Sequence, residues 1–272
     1  MRYQFRSILL AFAALIAFAA HAQPARVERD VAYGTDRAQR FDVYLPAKPN
    51  GNLMLMVHGG GWDRGDKSMR AMVEPKVRYW VSRGWVFVST NYRMLPTPVA
   101  DQAADVARAM AAVQKRAPSW GADPKRLVLM GHSAGAHLVA LLNSDPSLAA
   151  KQGAQPWRGT VALDSAAMDV PGVMKKPHLP LYDRAFGSDP ARWEAVSPWH
   201  VMTPQAHPIL IVCSRRRGDS CPQASWLELR ASTMKLQVVI WTQDMSHAEI
   251  NHRLGEPGAY SDAVDRWISS IL

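Results

Sequence analysis

Residues 127–138 read Leu127-Val128-Leu129-Met130-Gly131-His132-Ser133-Ala134-Gly135-Ala136-His137-Leu138. An apolar run stops at Gly-x-Ser-x-Gly, and Ala136 to Leu142 continues as a helix-forming stretch. Strand, sharp turn, helix is the setting in which this pattern becomes a nucleophile elbow. The glycines have a steric role. The serine must sit on a strained turn, and Gly131 and Gly135 leave room for strand and helix to approach closely. The Ser133 hydroxyl is then expected at the carboxyl end of the strand, above the dipole of the following helix.

Working outward, the same alternation recurs. Arg40 to Leu45, Leu53 to Val57, Trp85 to Thr90, Thr160 to Leu163, Ile209 to Cys213 and Leu236 to Trp241 read as strands. Helical spacing is found over Lys67 to Ser82, Asp101 to Arg116 and Ala259 to Leu272, and a helix is expected to begin near Pro222. Short apolar strands alternating with helices predict an α/β fold with a mostly parallel central sheet covered on both faces. Ligand sites in such sheets gather beyond the carboxyl ends of the strands. The stretch from Ala166 to Pro208 is irregular and rich in proline and tryptophan, so a small lid-like insertion is expected there, with Trp193 and Trp199 as candidates to line a pocket.

At the other end, Arg2 and Arg6 precede the apolar run Ile8 to Ala20, which closes in Ala20-His21-Ala22, a small-x-small cleavage pattern. Residues 1–22 are therefore expected to be a cleaved signal peptide and 23–272 one domain, periplasmic or secreted. The run is shorter than the roughly 20 apolar residues that span a bilayer. No second run of spanning length follows, so no stable membrane anchor is expected.

The chain carries a net charge of +9 over 272 residues. Its basic residues are scattered, apart from Arg215-Arg216-Arg217 and Lys175-Lys176, and do not form a stripe interleaved with aromatics. This argues against a nucleic-acid partner. No cluster has metal-ligand spacing and no phosphate-loop pattern is present, so neither metal nor cofactor is expected. The two cysteines, Cys213 and Cys221, would form a disulfide in an exported protein and staple the loop between them.

A serine hydroxyl needs a base within hydrogen-bond reach, and the base needs an orienting carboxylate. Ser133 is the candidate nucleophile. His247, in a loop after the last strand, is preferred as base over His252. For the acid, Asp219 is preferred, because it follows a strand, precedes a helix and gives the chain order Ser133, Asp219, His247. Asp164, which also ends a strand, Asp169 and Asp244 are the remaining candidates for the acid. His58-Gly59-Gly60-Gly61, directly after a strand, offers backbone N–H groups, so Gly60, Gly61 and Ala134 are expected to form an oxyanion hole. His58 is read as a brace for that loop, and His132 and His137 as structural.

Together, His58-Gly59-Gly60-Gly61-Trp62, Gly65-Asp66-Lys67, Asn91-Tyr92-Arg93 and Gly131-His132-Ser133-Ala134-Gly135 resemble the α/β-hydrolase superfamily. Within it they are similar to the carboxylesterase branch that includes kynurenine formamidase (arylformamidase) and bacterial feruloyl-esterase-like proteins. The resemblance implies the α/β-hydrolase fold and a serine hydrolase acting on a small-molecule ester, with a formamide as the alternative bond and a non-catalytic binding protein as the alternative role. By motif it puts the nucleophile on Ser133, the acid on Asp219, the base on His247 and the oxyanion loop on Gly60-Gly61. Two departures stand out. His132 occupies the place of the aspartate usual in the hormone-sensitive-lipase branch. Arg215-Arg216-Arg217-Gly218-Asp219-Ser220-Cys221 differs from the Gly-x-x-Asp-x-x-Val-Pro form of the acid loop.

Overall fold

The computed structural model describes residues 24–272, so the signal-peptide reading lies outside the described residues. Eight strands form one sheet: β1 (Arg26–Ala32), β2 (Arg40–Leu45), β3 (Gly51–Val57), β4 (Val86–Thr90), β5 (Ala122–His132), β6 (Gly159–Leu163), β7 (Ile209–Ser214) and β8 (Val238–Gln243). Their spatial order is β1-β2-β4-β3-β5-β6-β7-β8. β2 runs antiparallel to both β1 and β4, and every other pair is parallel.

The period of two along the central strands divides the core between the faces. Leu53, Leu55, Val57, Leu127 and Leu129 share one apolar cluster with Val106 and Met110 of helix Val99–Arg116 and with Leu138 and Leu142 of helix Ala134–Ser144. Met54, Met56, Val128 and Met130 pack on the opposite face with Met72, Trp80, Val264 and Ile268. Burial on both faces is why these strands read as unbroken apolar runs.

Register brings the strand ends together. Val57 pairs with Gly131, Gly131 with Ala162, Leu163 with Val212, and Ser214 with Gln243. The segments that follow β3, β5, β6, β7 and β8 therefore emerge at one edge.

The elements depart from the sequence expectation in several places. β1 is an added edge strand whose residues are mostly exposed or half-buried, so it lacks the apolar run that marks the others. The helix expected over Lys67 to Ser82 is Arg70–Lys76 continued by a wider π-helical turn, Val77–Val81, with Pro75 removing a backbone donor just before the change. β8 runs two residues later than expected. The 166–208 insertion holds four short helices: Val170–Met174, Pro180–Phe186, Pro190–Ala195 and Pro198–Val201.

Candidate active site

Ser133 has φ 56° and ψ −119°, a conformation non-glycine residues rarely adopt. The flanking glycines make it possible. A Cβ on Gly131 would lie 2.4 Å from the Gly135 carbonyl oxygen, and one on Gly135 would lie 2.4 Å from the carbonyl oxygens of both Val57 and His58. The turn is tied across the sheet by Ser133 N–H donating to Leu163 O at 2.8 Å.

The loop after β3 is closed through its carbonyls. Gly60 O accepts from the N–H groups of Asp63 and Arg64, and His58 Nδ1–H donates to Gly59 O at 2.7 Å. The amides of Gly60 and Gly61 take no part in these bonds. Gly60 and Gly61 have φ of 120° and 63°. Buried His58 stacks on Tyr92 with ring centroids 4.6 Å apart, and burial pushes its imidazole pKa down. Trp62 closes the loop by donating from Nε1 to His137 Nδ1 at 3.2 Å, while His137 Nε2–H donates to Val196 O at 2.7 Å. His137 is thus a neutral bridge between loop and insertion, held down to about 4 by burial.

His247 is the first residue of helix His247–His252 rather than part of a loop. Ser246 and Glu249 form a capping box there, which the sequence Ser-x-x-Glu encodes. The His247 backbone carbonyl accepts from His132 Nε2 at 3.0 Å, and the two rings lie 4.5 Å apart. Burial holds His132 at about 3, so it is a neutral donor.

The carboxylate against His247 is Asp164, not Asp219. Asp164 Oδ2 lies 2.6 Å from His247 Nδ1. Arg217 Nη1 donates to the same oxygen at 2.9 Å, and Oδ1 accepts from Ser214 N–H at 2.7 Å and Ser220 Oγ at 2.5 Å. Burial alone would raise the Asp164 pKa. The hydrogen bonds from His247, Ser220 and Ser214, with the Arg217 charge, outweigh it and leave the group far below the usual carboxylate range. Arg217 Nη1 is also 2.9 Å from His247 Nδ1. Because Nδ1–H points at Asp164, Arg217 Nη1 donates to the carboxylate and not to Nδ1, and Nε2 is left as the basic nitrogen.

Asp219 sits at the start of helix Ser220–Ser232, and its Oδ2 accepts from Arg217 Nη2 at 2.9 Å. It steadies Arg217, which in turn holds Asp164. Asp169 and Asp244 are engaged away from His247. Asp169 caps helix Val170–Met174 through Gly172 N–H, and Asp244 pairs with Arg216 at 2.8 Å. The segment carrying Ser214, Arg217 and Ser220 is closed by the expected disulfide, Cys213–Cys221, with Cα atoms 5.1 Å apart.

Ser133, Ala134, Gly60, Gly61, Asp164 and His247 all border one cleft of about 620 Å³. The insertion contributes Leu179, Leu181, Tyr182 and Arg184, and the loop after β3 contributes Trp62 and Arg64. Trp193 and Trp199 face elsewhere: Trp193 Nε1 donates to Gly187 O, and Trp199 packs under Arg230. His252, the rival base, lies on the cleft wall at the far end of the His247 helix. A larger charged groove of about 950 Å³ lies away from these residues, with its Lys67, Asp30 and Asp42 paired to one another. Among the described residues, no group of His, Cys, Asp and Glu has the arrangement of a metal site.

Residues 41–154 match the BD-FAE family. Esterase LipQ of Mycobacterium tuberculosis is 28% identical over 80% of this chain and 54% of its own length. The isoprenylcysteine alpha-carbonyl methylesterase ICME of Arabidopsis thaliana is 30% identical over 42% of this chain and 27% of its own length. This chain therefore spans only about a quarter to a half of these curated relatives. Esterase B of Lactobacillus rhamnosis superposes with a TM-score of 0.73 at 19% identity, covering 92% of this chain and 86% of that one. Thermogutta terrifontis Est2 gives 0.71 at 21% identity, covering 91% and 94%. By its sheet order and these superpositions the chain has the α/β-hydrolase fold, and in sequence it is similar to carboxylic ester hydrolases.

Proposed function

We propose that this chain is a cofactor-free serine hydrolase that cleaves carboxylic esters of small to medium size through an acyl-enzyme. The observation that carries the reading is the strained Ser133 sharing a cleft with His247, whose Nδ1 is 2.6 Å from buried Asp164. Ser133 Oγ attacks the ester carbonyl carbon while His247 Nε2 takes its proton. The tetrahedral oxyanion is held by the N–H groups of Gly60, Gly61 and Ala134. On collapse, His247 returns the proton to the departing alcohol. Water, deprotonated by His247, then attacks the acyl-enzyme and releases the acid and Ser133. Asp164 fixes the imidazole tautomer and stabilises the imidazolium that forms at each proton transfer. Each oxyanion donor contributes about 3 kcal/mol of transition-state stabilisation.

The relatives named above are esterases, which favours an ester over a formamide bond. Export through a signal peptide fits the Cys213–Cys221 disulfide, since such bonds persist in oxidising compartments. The test is hydrolysis of p-nitrophenyl acetate and butyrate, and of N-formylkynurenine, by wild type and Ser133→Ala. Ester turnover lost in Ser133→Ala is expected. Undiminished turnover by that variant would overturn the reading, and faster turnover of the formamide would move the substrate class.

A further inference from the structure

The chain encloses two lysines in very different company. Lys67, nearly buried, is held between the carboxylates of Asp30 and Asp42 at 2.8 and 2.7 Å. Lys76 is fully buried, yet it makes no ion pair with any carboxylate among the described residues. Its Nζ instead donates to three neutral oxygens: Met72 O at 3.0 Å, Asn251 O at 2.6 Å and Asn251 Oδ1 at 2.9 Å. Enclosing an unpaired cation is costly, and a methionine of similar length would fill the space without that cost. The contacts indicate what the charge does there.

Asn251 belongs to helix His247–His252, whose first residue is His247. A helix of six residues cannot hold itself in place and depends on its attachments. Its front is fixed by the Ser246–Glu249 capping box and by Ser214 Oγ donating to Met245 O at 2.6 Å. Its rear carbonyls are fixed by Tyr260 OH on Ile250 O and by Lys76 on Asn251 O. Directly behind, Gly255 passes so close to helix Arg70–Lys76 that a Cβ there would lie 2.4 Å from the Pro75 carbonyl. Lys76 is the polar tie across this contact, and both residues it grips, Met72 and Asn251, line the cleft.

We propose that Lys76 is a positioning residue for His247: its ammonium holds the rear of the His247 helix and so keeps the imidazole aligned between Asp164 and the Ser133 hydroxyl. This rests on the ester-hydrolase reading of the same site. Three acceptors around one nitrogen match the three N–H bonds of an ammonium. A neutral amine has two, and its lone pair would face an oxygen. Burial pushes Lys76 down to about 7, within the working range of a histidine base. The titratable groups facing it are His132 on β5 and His252 on the short helix, both kept low first by burial and further by the Lys76 charge; Glu256 acts on His252 in the opposite sense.

The experiment is kcat and KM against pH for p-nitrophenyl acetate with wild type, Lys76→Met and Asn251→Asp, with folding checked by circular dichroism. Wild type is expected to lose kcat as pH rises through the Lys76 titration. Lys76→Met should show kcat lowered roughly tenfold or more, little change in KM, and no such limb. Asn251→Asp places a carboxylate against Nζ and should move the limb upward by about one pH unit or more. Lys76→Met with wild-type kcat and an unchanged limb would overturn the proposal. If Lys76→Met does not fold, Asn251→Asp decides, and an unmoved limb overturns it. Ser133→Ala is run alongside. Undiminished turnover there sinks the esterase reading itself, which separates that failure from this one.

Discussion

Asp164 and Asp219 compete for one role, and their surroundings separate them. Asp164 follows β6 directly, at φ 54°, with its side chain fully buried and four donors on its two oxygens. The Asp219 carboxylate is half exposed and is held by Arg217. Removing the orienting carboxylate of such a triad leaves the wrong imidazole tautomer and lowers kcat by about 10⁴-fold. Asp164→Asn should therefore lose roughly that much p-nitrophenyl acetate turnover, and Asp219→Asn less than about tenfold. Equal losses in the two variants would remove the distinction. From sequence the two aspartates look alike, since each lies past a strand and between the serine and the histidine in chain order. The signal that could have separated them was at hand. Leu163-Asp164-Ser165-Ala166 leaves no exposed loop before the aspartate, whereas Arg217-Gly218-Asp219 puts an arginine within easy reach of its own neighbour.

Residue chemistry also sets a pH dependence of stability. His132 and His137 are held at about 3 and about 4, against an ordinary value of 6.5. Their folded pKa values are depressed, so their favourable contribution is complete above pH 6.5 and is lost as pH falls towards those values. For His137 the loss is about 3 kcal/mol, taking about 1.4 kcal/mol per pH unit. Thermal melts should show Tm falling between pH 6.5 and 4, with a shallower fall in His137→Asn. A flat Tm across that window would contradict the buried neutral assignment.

At the scale of elements, the site is a set of loops whose backbones touch. Gly135, in the first turn of helix Ala134–Ser144, lies under the carbonyls that begin the oxyanion loop, so the elbow and the loop cannot be placed independently. Gly135→Ala should cost about 1–3 kcal/mol of stability through overpacking and lower kcat with it. The disulfide plays the matching part on the acid side, because the loop it closes supplies Ser214, Arg217 and Ser220 to Asp164. A short loop of this kind contributes about 2.5 kcal/mol by restricting the unfolded chain. The Cys213→Ser/Cys221→Ser double variant should melt earlier and lose kcat with KM nearly unchanged. An intact kcat would mean the acid holds its place without the staple. The elbow and the oxyanion loop were legible because glycine spacing and apolar runs are local. The capping box at Ser246–Glu249 was equally local, and reading it would have put His247 on a helix.

Across the whole molecule, the fold follows from strands that are apolar on both faces, and this is the part the sequence states most plainly. The insertion is harder to read, because three of its four short helices start at prolines and all take their places from packing against the rest of the chain. That packing puts Leu179 and Tyr182, rather than Trp193 and Trp199, on the cleft. Leu179 is 58% exposed, and Met69 on the segment after β3 is 45% exposed. The two lie far apart in sequence and border the same cleft. An acyl chain of modest length running between them would bury both, gaining about 0.8 kcal/mol per methylene. Leu179→Asp and Met69→Asp should thus raise KM for p-nitrophenyl hexanoate about tenfold while leaving the acetate ester nearly unaffected, because acetate is too short to reach the rim. Equal effects on both esters would point to a disturbed catalytic edge, and no effect on either would put the acyl chain elsewhere in the cleft.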